Sequence, residues 1–139
     1  MIKLHLIHVS DVLVLLALVL VASGCDSGGA PGPRTHEVTG QVIYANGSAL
    51  MGGAITFTLA SDPSIAASGD IAADGSFTLY TIVGSQRFVG AVEGEHRVTI
   101  IPAMGADQKF VSVRLKTNMI KVEAKENHFK IEIEKDPNS

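Results

Sequence analysis

Ala67-Ser68-Gly69-Asp70-Ile71-Ala72-Ala73-Asp74-Gly75-Ser76-Phe77-Thr78-Leu79-Tyr80-Thr81-Ile82 is the stretch on which the fold turns. Two apolar–polar runs, residues 67–73 and 76–82, flank Asp74-Gly75, a pair that accepts the backbone angles of a tight turn. The spacing predicts a β-hairpin whose second strand directs Phe77 and Leu79 inward. The same grammar extends upstream. Val38, Gly40, Val42 and Tyr44 alternate with Thr39, Gln41 and Ile43 before Asn46-Gly47, a second turn signal. After Gly52-Gly53, Ile55, Phe57 and Leu59 alternate with Ala54, Thr56 and Thr58 until Asp62-Pro63 ends the run. Downstream, a loop is expected through Gly84 and Gly90. Residues 96–101 then set Val98 and Ile100 against Arg97 and Thr99, with Pro102 as the stop. Residues 119–124 form another candidate strand, and Phe129, Ile131 and Ile133 alternate with Lys130, Glu132 and Glu134. Residues 113–126 also fit a helix, but nothing after residue 25 sustains a 3.6-residue apolar period. The expectation is an all-β chain: one antiparallel β-sandwich of about seven strands over residues 36–134.

Composition narrows the function classes. The chain has 139 residues and a formal charge of −3, with Lys and Arg interleaved with Glu, as in Lys121-Val122-Glu123-Ala124-Lys125-Glu126. A binder of nucleic acid backbones needs clustered cations, so nucleic acid is not an expected partner. There is no Trp and a single cysteine, Cys25, so an intramolecular disulfide cannot form.

The N-terminus has its own organisation. Lys3 precedes an apolar run at residues 12–22, which is short for a membrane span and ends in small residues before Cys25. Ala22-Ser23-Gly24-Cys25 resembles the lipobox of bacterial lipoproteins. That resemblance implies a signal peptide at residues 1–24, lipidation of Cys25, membrane attachment through the acylated cysteine, and residence in the bacterial cell envelope. Residues 25–35 are rich in Gly and Pro and carry no large apolar side chain, as befits a flexible tether of about 15–20 Å root-mean-square reach.

Within the domain, Val38-Thr39-Gly40-Gln41-Val42, Gly53-Ala54-Ile55-Thr56-Phe57, Ala73-Asp74-Gly75-Ser76-Phe77-Thr78-Leu79 and Gly94-Glu95-His96-Arg97-Val98-Thr99-Ile100 resemble, in order, the carboxypeptidase regulatory-like domains. Those are transthyretin-like, immunoglobulin-like sandwiches, non-catalytic in themselves. Ala49 departs from the family pattern, where Pro is common, and so does His96, where an aromatic such as Tyr is usual.

No spacing of reactive residues favours catalysis. His36, His96 and His128 lack the close spacing of a zinc site, and no metal or other cofactor is expected. Asp70 and Asp74 lack the further oxygen ligands of a calcium loop. Ser48, Ser76 and Ser85 fall in turn contexts, with no nucleophile elbow around them. Glu93 and Glu95 read as solvated loop acids. Asn46-Gly47-Ser48 also matches a glycosylation acceptor, although a turn explains it. The sequence therefore points to a non-enzymatic envelope lipoprotein acting as a structural or protein-interaction module, with an envelope protein or a glycan as partner. The alternative is a carbohydrate or small-ligand binding module, for which Tyr44 and Tyr80 are the only tyrosines.

Overall fold

The computed structural model describes residues 31–105 and 112–135. The expected signal peptide at residues 1–24, Cys25 and residues 26–30 of the expected tether lie outside the described residues. Twelve strands and no helix occur among those described: β1 (Thr35–His36), β2 (Val38–Tyr44), β3 (Gly53–Leu59), β4 (Ala66–Ile71), β5 (Ser76–Thr78), β6 (Tyr80–Val83), β7 (Gln86–Val89), β8 (Ala91–Val92), β9 (Gly94–Pro102), β10 (Val113–Leu115), β11 (Met119–Val122) and β12 (Asn127–Lys135). They form a six-stranded sheet, β11-β9-β3-β4-β6-β7, a four-stranded sheet, β10-β12-β2-β5, and the short pair β1-β8.

The sandwich is as expected, and two details of the expectation are corrected. Its strands number twelve rather than about seven, because β1, β7, β8 and β10 are additional and the run at residues 76–82 is divided into β5 and β6. Nor are all pairings antiparallel: β12 runs parallel to β2, with Phe129 opposite Gly40 and Ile131 opposite Val42. The expected strand at residues 119–124 also stops at Val122.

The division of residues 76–82 organises the fold. The Asp74-Gly75 turn forms as the sequence predicts, with Gly75 at φ 82° and Ala72 N–H donating to the Ser76 carbonyl at 2.8 Å. Two residues beyond Thr78, β6 pairs with β4 in the register set by this turn, Ser68 opposite Tyr80 and Ala67 opposite Thr81. Between these points β5 gives its hydrogen bonds to β2 of the other sheet, Thr39 opposite Thr78 and Gln41 opposite Ser76. One continuous run of chain thus belongs to both sheets and changes between them at Leu79.

At the change, Leu79 N–H donates to the Val38 carbonyl at 2.9 Å, and Gly90 N–H donates to the Leu79 carbonyl at 2.7 Å. The Thr81 hydroxyl donates to the Gly90 carbonyl at 2.8 Å. Gly90 is fixed here by geometry, for its φ is 91° and a Cβ would collide with the His36 carbonyl. The expected loop through Gly84 and Gly90 is instead a hairpin, β6–β7, closed by the two-residue turn Gly84-Ser85. Its tip lacks a buried apolar phase, which is why alternation did not mark it.

The core lies between the two sheets. Phe57 is fully buried and central, with its ring centroid 6.3 Å from Phe77 and 6.0 Å from both Phe129 and His96. Phe77 is buried as well, and Phe129 is half-buried against the cluster. Ile43, placed on the outward phase by alternation, is buried too. It stands where the chain beyond Asn46-Gly47 doubles back to pair Ala49 with it.

Truncating Phe57 or Phe77 to Ala removes a ring from this interior and is expected to cost about 3–5 kcal/mol. His128 is exposed, and His128→Ala should cost about 0.5 kcal/mol or less. Denaturant melts of the three variants check this; a neutral Phe77→Ala would contradict the assigned core.

Candidate functional site

Strand register sorts the loops to two ends. Val38 pairs with Asn127, and Gly94 with Val122, at the end where β1 brings the chain in. Tyr44 pairs with Ile133, and Gly53 with Pro102, at the other. At this second end lies an open groove of about 980 Å³. Tyr44, Leu50, Met51, Pro102, Met104 and Ile133 supply its apolar wall. Met51 is 76% exposed and Met104 55%, large apolar surfaces left in water beside one another.

The polar frame of the groove comes from a turn chemistry that the sequence uses three times. In Asn46-Gly47-Ser48, Asp62-Pro63-Ser64 and Asp74-Gly75-Ser76, the first side chain accepts from both the amide and the hydroxyl of the serine two residues on. The amide distances are 3.0, 3.1 and 2.9 Å, and the hydroxyl distances are 2.6 Å in each. Two of these turns, at Asn46 and Asp74, border the groove. Ser48 and Ser76 are thereby occupied as turn donors, with Asn46 and Asp74 as their acceptors. The Ser76 hydroxyl, and then its amide, holds the Asp74 carboxyl below its ordinary 3.8. Ser64 does the same for Asp62.

A second, more polar cleft of about 440 Å³ opens where β5 leaves β4, lined by Thr39, Asp70, Tyr80, Arg87 and His128. The Arg87 guanidinium sits 3.5 Å over the Tyr80 ring, and Thr39 and His128 share a 3.0 Å hydrogen bond. At the groove, the Lys135 ammonium stands 6.0 Å over Tyr44.

The three histidines of the domain are not brought together. His36 lies on β1 and His128 on the surface of β12, whereas His96 is fully buried beside Phe57. His96 Nε2 lies 2.7 Å from the Val92 carbonyl and donates to it, while Nδ1 is buried without a hydrogen-bond partner. The alternation of residues 96–101 gave His96 its inward phase, and an unpaired polar atom is the cost of burying a histidine there. No group of three or more His, Cys, Asp or Glu close enough to hold a metal ion occurs among the described residues. Glu93 and Glu95 flank Gly94, and both are exposed, as expected of solvated loop acids. Sequence reasoning missed the groove, because its walls come from four separated segments that only the strand register brings together.

Comparison with protein-family models, with curated proteins and with solved structures finds no match to this chain.

Asp74 yields a pH dependence with a definite sign. A carboxyl held lower when folded than when unfolded contributes stability that is present above its unfolded value, about 4, and lost as pH falls through the folded one. Acidification from neutral pH to about pH 3 should therefore lower the denaturant midpoint more for the natural chain than for Asp74→Ala. Equal losses would contradict the turn chemistry.

Proposed function

We propose that this chain is a non-enzymatic lipoprotein of the bacterial cell envelope, held at a membrane by acylated Cys25, whose β-sandwich is a protein-interaction module. The observation that carries the reading is the position of the apolar groove. It lies at the end of the sandwich opposite the one where the N-terminal chain enters, so a domain tethered through residues 25–35 would present Met51 and Met104 away from the bilayer. An apolar segment of an envelope protein suits this surface: it is open, apolar and bordered by turns whose polar groups are already paired. The resemblance to carboxypeptidase regulatory-like domains supports the same reading, since such domains act as non-catalytic companions. Acylation would contribute about 0.8 kcal/mol per buried CH₂, so several chains would anchor the domain firmly.

The carbohydrate or small-ligand alternative rests on Tyr80, Arg87, Asp70 and His128 at the polar cleft. A sugar platform requires an open aromatic face, and here a cation stands over each of the two tyrosines, which favours the protein partner.

Cys25→Ser should release the chain from membranes or leave it unprocessed, and mass spectrometry of the membrane-extracted protein should show acyl chains on Cys25. A photo-cross-linking residue at Met51 should give a discrete adduct in intact envelopes, lost when Met104→Asp is added and absent from the same residue placed at Thr117. An intact Met1 with a free Cys25 thiol would overturn the anchor, and identical labelling from both sites would overturn the groove.

A further inference from the structure

The β6–β7 hairpin stands at the end of the sandwich where the chain enters, and it is apolar where strand edges are ordinarily guarded. Ile82 is 66% exposed, Val83 51% and Val89 53%. Ile82 and Val83 point to opposite faces of the hairpin, so exposure of both means that the tip projects beyond the core on either side. Two other sheet edges carry charge in or beside the strand: Arg114 and Lys116 at β10, Lys121 on β11. In the hairpin the one charge is Arg87, and the sequence from Leu79 to Val92 holds no acid.

The path of the chain says what this surface faces. Gly32 lies so close on the Phe88 ring that a Cβ there would collide with it, so the segment that leads back to Cys25 starts from the hairpin itself. Seven Cα steps separate Gly32 from Cys25. Fully extended they span about 25 Å, and as a flexible chain about 15 Å. A cysteine acylated in the bilayer would therefore keep the hairpin within about 15–25 Å of it, a few headgroup layers at most. At such proximity a contact too weak to bind from solution becomes effectively intramolecular.

We propose that the β6–β7 hairpin is a lipid-surface contact. Ile82 and Val83 enter the boundary between headgroups and acyl chains, and Arg87 meets the phosphates. The arrangement seats the sandwich upright on the bilayer with its groove outward. This rests on the anchoring of Cys25 proposed above.

The absence of Trp from the chain makes a direct test available. The full chain carrying Val83→Trp, or Ile101→Trp at the far end as control, is isolated from bacterial membranes. Each is reconstituted into phosphatidylcholine–phosphatidylglycerol vesicles with brominated acyl chains, and the mass of Cys25 is read on the same samples. The proposal expects the indole emission of Val83→Trp to be blue-shifted and quenched by bromine several-fold more than that of Ile101→Trp, with the difference reduced by Ile82→Asp. An acylated chain whose hairpin indole is as water-exposed as the control indole overturns the lipid contact and leaves the anchor standing. An unacylated chain that the vesicles do not retain overturns both. A blue shift without bromine quenching, accompanied by a doubled mass in solution, assigns the hairpin to a second copy of the chain and overturns the proposal.

Discussion

Leu79 is the residue through which the two sheets become one molecule. Its amide is bonded to Val38, which begins the central strand of the four-stranded sheet, and its carbonyl to Gly90, which follows the edge strand of the six-stranded sheet. Leu79 itself is fully buried, so neither bond can be exchanged for water, and each polar group left unpaired would cost about 1–3 kcal/mol. Three breaks in regular pairing, at Glu37, Leu79 and Gly90, meet at this corner. Asn127 reinforces it from the other side: its amide donates to the Glu37 carbonyl at 2.9 Å, while its side chain ties the turn from Glu123 to Lys125. The corner holds the sandwich shut at the end where the chain enters, and leaves the opposite end free to open into the groove.

Much of this was legible in the sequence where the information is local. Alternation placed Val38, Phe57, Phe77, Val98 and Ile133 inward, and Asp74-Gly75 set the register that still relates Ser68 to Tyr80. His96 followed its phase into the core despite its polarity. What alternation cannot carry is a pairing decided by distant chain. Nothing within residues 76–82 says that Thr78 will pair with Thr39 while Thr81 pairs with Ala67. Nor does anything in residues 127–135 announce a parallel partner. The β6–β7 hairpin escaped notice for a different reason: its apolar residues face outward, so the burial signal that marks a strand is missing there.

The candidate sites follow the same division. Ser48 and Ser76 were readable as turn residues because each lies two positions after the Asx that holds it. The groove was not, since Tyr44, Met51, Met104 and Ile133 are brought together only by the register of β2 with β12 and of β3 with β9. Cys25 remains a reading of sequence, and with it the view that the two ends of the sandwich have different tasks, one toward a bilayer and one away from it.

The Leu79 corner, on this account, makes the two sheets a single cooperative unit. Native-state hydrogen exchange of the Leu79 and Gly90 amides tests it most directly. Both should be among the slowest in the domain, exchanging only with global unfolding and with the same free energy as the Ile55 amide at the core. If they exchanged as quickly as the amides of the Gly84-Ser85 turn, the sheets would be opening independently and the account would be contradicted.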